Sequence, residues 1–87
     1  MINKGIVTGD FIRSRRKELG LTQKQLAQKL GWKVNNTQYI SNTERGLNPF
    51  PVKNVYALSL ALQISPEIII GKMLEDYSNS IRKELSK

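Results

Sequence analysis

The sequence predicts an all-α fold of five helices. Three observations carry that expectation. No stretch of the 87 residues alternates apolar and polar as a strand does. Apolar residues recur instead at helical spacing. Glycines, prolines and capping residues divide those stretches at regular intervals.

The first predicted helix runs from about Asp10 to Leu19. Asp10 is suited to cap its first turn and Gly20 to end it in a left-handed conformation. Ile12 and Leu19 share one face, flanked by Phe11. Residues 1–9 read as a flexible lead. The second helix spans Thr22 to Leu30. Thr22 and Gln25 have the spacing of a capping box, Leu26, Ala27 and Leu30 form the buried stripe, and Gly31 is the stop. The third helix begins near Asn35 or Asn36 and ends at Arg45, with Gly46 as its C-cap. Its apolar side is small, Tyr39 and Ile40 with Thr43 beside them. Pro49-Phe50-Pro51 connects to a fourth helix from Pro51 or Val52 to Leu62, in which Val52, Val55, Tyr56, Leu58 and Leu62 are available to the core. Ser65-Pro66-Glu67 starts the fifth helix with a cap, a proline at its first position and an acid in its first turn. No stop signal follows before Leu85. The domain plan is therefore a lead (1–9), a core (10–65) and a C-terminal helix (66–87).

Composition restricts function. The chain has no histidine and no cysteine. The usual general base, the commonest metal ligand and any thiolate or disulfide chemistry are missing. Serine without histidine is a poor nucleophile. No enzyme activity, metal or cofactor is expected. The longest aliphatic run, Ile68 to Ile70, is too short to span a bilayer, and the cytoplasm is the expected location. The net charge is +7. Residues 1–60 hold ten basic and three acidic side chains, and residues 61–87 hold four of each. A basic excess confined to two-thirds of a small chain points to an acidic partner, nucleic acid foremost.

The third helix says how such a partner would be met. Gln38, Ser41, Asn42 and Arg45 fall on one polar face, with Thr37 beside it. Such side chains can hydrogen-bond base edges and phosphates in a major groove. A short helix ending in glycine, a tight connection and then this polar helix follow the layout of a helix-turn-helix. A small bundle with a solvated third helix fits the same pattern.

The series Arg13-x-x-Arg16-Lys17-Glu18-Leu19-Gly20-Leu21-Thr22-Gln23-x-x-Leu26-Ala27-x-x-Leu30-Gly31, then Ile40-Ser41-x-x-Glu44-Arg45-Gly46, then Leu60-Ala61-Leu62, resembles the Cro/CI-type, lambda-repressor-like helix-turn-helix family over roughly residues 10–65. The resemblance implies a compact five-helix DNA-binding regulator, here with an extended C-terminal helix. It implies base reading by Thr37, Gln38, Ser41 and Asn42. It implies phosphate contacts by Thr22, Gln23, Arg45, Lys53 and Asn36, the last as N-cap of the recognition helix. It also implies a structural pair between Arg16 and Glu44. Three departures stand out. Gly31 and Ile40 enclose eight residues where the family has about five, which could bring Lys33 or Asn35 to phosphate; Trp32 and Val34 are expected to anchor this longer turn to the core. Thr43 replaces an aliphatic, and Arg15 stands where an apolar residue is common, adding to the basic surface.

Ile70, Leu74, Tyr77, Ile81 and Leu85 form a coiled-coil-like seam on the last helix, with Glu75, Asp76, Arg82, Lys83 and Glu84 on solvated faces. A homodimer through this seam would let two copies read half-sites about 34 Å apart. The expected function is a sequence-specific, dimeric repressor of a pseudo-palindromic operator on double-stranded DNA. Neither a domain that senses a small-molecule effector nor membrane binding is expected. A controller of a restriction–modification or phage system and an antitoxin bound to a toxin are both compatible with this reading. The rival class is a protein-interaction module on the same fold.

Overall fold

The computed structural model describes residues 5–33 and 37–86. They form α1 (Ile6–Glu18), α2 (Gln23–Lys29), α3 (Thr37–Glu44), a 3-10 turn (Val52–Asn54), α4 (Val55–Leu62) and α5 (Pro66–Leu85). The all-α, five-helix expectation holds. α1 packs against α3 and α5, α2 against α3 and α4, and α4 against α5. Their inner faces meet in one core built on Ile12, Leu26, Leu30, Ile40, Phe50, Leu58, Leu62 and Ile69.

Local stop and start signals act as read. Thr22 Oγ1 accepts from Gln25 N–H at 3.0 Å, and Gln25 Oε1 accepts from Thr22 N–H at 2.8 Å, so the capping box closes. Ser65 caps α5, with Pro66 at its first position. At the end of α3, Gly46 takes φ +78°, Gly46 N–H donates to Thr43 and Leu47 N–H to Asn42. Gly20 and Gly31 end α1 and α2 in the same way.

The start of α1 corrects the sequence reading. The helix begins at Ile6, four residues before the expected Asp10 cap, and Asp10 is an exposed residue within it. Residues 6–9 of the expected lead are therefore helical. The cap comes from the far end of the chain. Asp76 on α5 accepts from Val7 N–H and Thr8 N–H, both at 2.9 Å, and from the Thr8 hydroxyl at 2.7 Å. A carboxylate there satisfies free N–H groups and complements the positive end of the helix dipole. Asp76 is buried accordingly, not on the solvated face expected for it.

α4 also differs. Its first turn is the 3-10 turn, and Val52 and Tyr56 face solvent instead of the core. It ends on Gln63 at φ +55°, where no glycine marks the stop. Arg15 supports that end: its Nε donates to the Leu62 carbonyl at 2.9 Å. Arg15 is thus a helix-end tether as well as a basic group. α5 continues without a break through Gly71 to Leu85, as expected.

Candidate nucleic-acid interface

α3 is held from three sides. Ile40 enters the core, and Thr43 and Glu44 are buried against neighbouring helices. Thr43 is buried, while its hydroxyl finds no hydrogen-bond partner among the described residues. The Arg16–Glu44 pair expected between the first and third helices is present and bidentate: Arg16 Nε donates to Glu44 Oε2 at 2.6 Å and Nη2 to Oε1 at 3.0 Å. Arg16 Nη1 also donates to the Leu21 carbonyl at 2.8 Å. Gln23 joins this group, its Nε2 donating to Glu44 Oε1 at 3.1 Å. One cluster therefore ties α1, the start of α2 and the end of α3 together.

With its inner face fixed, α3 turns the other side outward. Gln38 and Arg45 are exposed, and Thr37, Ser41 and Asn42 half-buried. Gln38 Nε2 donates to Asn42 Oδ1 at 3.0 Å. Among the described residues this leaves the Gln38 carbonyl, its second N–H and the Asn42 amide group without a partner. These are the donors and acceptors that pair bidentately with adenine in a major groove. The structure thus brings the four expected base-reading residues onto one short helix.

The expected phosphate-contacting residues surround it. Thr22 and Gln23 lie at the start of α2, Lys33 follows α2, Arg45 follows α3 and Lys53 lies in the 3-10 turn. Lys33, Arg45 and Lys53 are exposed. Gln23 is less free than expected, since one amide hydrogen is committed to Glu44 and one remains. Asn36, expected as the N-cap, lies outside the described residues, as do Val34 and Asn35.

Trp32 anchors the longer turn. Its ring stacks on Phe50 with centroids 6.1 Å apart and meets Tyr39 edge-on at 5.4 Å. Tyr39 is the counterpart that the sequence reading misplaced. It sits at the rim, 39% exposed, instead of contributing to the core. On α5, Ile70, Leu74, Tyr77, Ile81 and Leu85 are all exposed, Leu85 to 80%. Among the described residues no helix is long and apolar enough to cross a membrane.

Comparison with known proteins agrees with the fold. A family model described as Helix-turn-helix matches residues 12–69. The chain is 41% identical over 70 residues to the HTH-type transcriptional regulator DicA of Escherichia coli (strain K12), a match covering 80% of this chain and 50% of that protein. It thus spans about half the length of the curated relative it matches. Its fold is similar to the crystal structure of the restriction-modification controller protein C.AhdI from Aeromonas hydrophila. The TM-score is 0.64 at 30% identity, covering 74% of this chain and 92% of that one.

Proposed function

Because the chain belongs to the helix-turn-helix family, we propose that it is a sequence-specific DNA-binding transcriptional regulator that inserts α3 into the major groove. The observation that carries this reading is the outward row of Thr37, Gln38, Ser41 and Asn42 on a helix whose other side is fixed by the Arg16–Glu44–Gln23 cluster. A bare polar face presented so rigidly suits the reading of base edges, which demands fixed donors and acceptors. Thr22, Gln23, Lys33, Arg45 and Lys53 set the register on the phosphates. Repression follows from excluding polymerase at the occupied operator, in the cytoplasm on the nucleoid.

Selection of bound duplexes from random DNA tests the proposal. The wild type should enrich one sequence. Gln38→Ala should cost about 1–3 kcal/mol at one base pair per half-site and relax preference there. An unchanged preference in the variant sinks the assignment of α3.

The second copy would meet this one along α5. Its exposed apolar stripe extends past the core, and residues 61–87 carry no net charge to oppose pairing. Leu74→Lys is expected to convert a dimer to a monomer in sedimentation and to weaken operator binding sharply. The substitution leaves Asp76 in place to cap α1, which removal of the tail would not. A wild type that sediments as a monomer throughout the micromolar range would end the dimer reading. The same stripe also fits a protein partner such as a toxin. A monomeric chain with no sequence preference would favour that role.

A further inference from the structure

We propose that Asp76 is a positioning residue for operator recognition: it ties α5 to the start of α1, and through α1 it sets which spacing between half-sites two joined copies accept. The inference rests on the dimeric DNA-binding reading above. It gives a role in that reading to a buried residue that lies neither on α3 nor in the exposed apolar stripe.

α5 carries two stripes. Ile69, Met73 and Asp76 fall at i, i+4 and i+7 and face the core, Ile69 and Asp76 buried and Met73 half-buried. Ile70, Leu74 and Tyr77 each follow one of these by a single position and are exposed, about 100° around the same helix. One helix backbone therefore fixes the Asp76 carboxylate relative to the stripe along which a second copy would pair. The carboxylate holds α1 with both oxygens. Oδ1 accepts from Val7 N–H, and Oδ2 accepts from Thr8 N–H and from the Thr8 hydroxyl. Two anchored oxygens fix the direction of α1 as well as its distance. A cap for stability alone needs no such reach, since α2 and α5 take theirs from Thr22 and Ser65 beside them. α1 passes the constraint to α3 at two places. At Gly9 the two helices meet backbone to backbone, with no space for a Cβ against the Thr43 carbonyl. Further along, Arg16 holds Glu44 by two bonds. Thr8, Gly9, Arg16, Thr43, Glu44 and Asp76 are all buried, so the connection is packed along its length. One base pair added between half-sites moves the second by about 3.4 Å and turns it by about 34°. A dimer whose reading helices are set rigidly against its pairing stripe accepts one spacing, and a loosened dimer accepts several.

The test uses the full chain and duplexes carrying two copies of the selected half-site, the spacer lengthened or shortened by single base pairs. The wild type should lose about tenfold or more in affinity one base pair from its best spacing. Asp76→Asn keeps the volume but turns an amide N–H2 towards donors of α1. It should remain a dimer in sedimentation, while its loss one base pair from the optimum falls to about threefold or less. Thr8→Val removes one of the three bonds and should give an intermediate profile. Should Asp76→Asn fail to fold, Thr8→Val decides alone by the same criterion. Ser65→Ala removes a local cap from α5 and should lower the unfolding midpoint while leaving the profile as sharp as that of the wild type. If the Asp76 and Thr8 variants weaken binding by one factor at every spacing, Asp76 is a plain helix cap and the inference is wrong, although the dimeric reading stands. A profile flattened equally in Ser65→Ala also overturns it, since general loosening is then the cause. A wild type that binds as a monomer, or without a preferred spacing, overturns both.

Discussion

Gly9→Ala is expected to destabilise the protein by about 3 kcal/mol or more, although it replaces glycine by the best helix former inside a helix. In an open helix the same change stabilises by about 0.5–1 kcal/mol, because glycine loses more backbone freedom on folding. At position 9 the sign reverses for a steric reason. A Cβ there would overlap the Thr43 carbonyl oxygen and stand 2.9 Å from that of Glu44. Both are backbone atoms at the end of α3, so no rotamer change relieves the overlap. α1 and α3 would have to separate, opening the core beside Ile12 and Ile40 and pulling on the Arg16–Glu44 pair. Gly71 supplies the contrast. It lies within α5 with nothing within 4 Å of a built Cβ. Gly71→Ala should therefore gain up to about 1 kcal/mol. Urea unfolding of both variants checks the pair, and the midpoints should move in opposite directions. A Gly9→Ala midpoint equal to that of the wild type would mean that α1 and α3 do not approach this closely in solution.

What the sequence made legible follows from the range of each interaction. The ends of α2, the end of α3 and the start of α5 depend on bonds between residues two to five apart, and the residues that make them, Thr22, Gln25, Gly46 and Ser65, are recognisable in place. The start of α1 depends on Asp76, 68 residues from Thr8, and no local pattern joins them. Arg15 likewise meets its carbonyl 47 residues away. Gln63 takes a left-handed conformation without glycine, so α4 stops where no stop is written. Tyr56 follows Val55 by one position on α4, about 100° off the face that Val55, Leu58 and Leu62 bury, and Val52 lies before α4 in the 3-10 turn, where it is exposed. The candidate site divides in the same way. The polar row of α3 is a period within one helix and could be read. Tyr39 could not, since an aromatic beside Ile40 reads as core until Trp32 is seen occupying that space. The internal bond of Gln23 was hidden because Glu44 stands 21 residues further on.

Removing one partner of the Arg16–Glu44 pair is expected to cost about 3–5 kcal/mol, and removing both distinctly less than the sum. The side chains are 9% and 2% exposed, so either charge left alone is poorly solvated. Glu44→Leu leaves the Arg16 guanidinium with only the Leu21 carbonyl among the described residues. Arg16→Met leaves the Glu44 carboxylate with only the Gln23 amide among the described residues. For an 87-residue domain, either loss is a large part of the whole stability. The double variant Arg16→Met, Glu44→Leu buries two apolar side chains of similar volume where two charges were, and it should recover much of what each single change loses. DNA binding should not recover with it. Gln23 would lose the acceptor that orients its amide, and α3 would lose its polar link to the start of α2. Urea unfolding of the four proteins gives the coupling energy, and titration of the selected duplex gives the affinity. A stable double variant with weakened binding to every sequence would assign the pair to holding the reading helix in register. Strict additivity in stability would instead show that the two charges do not act as a unit.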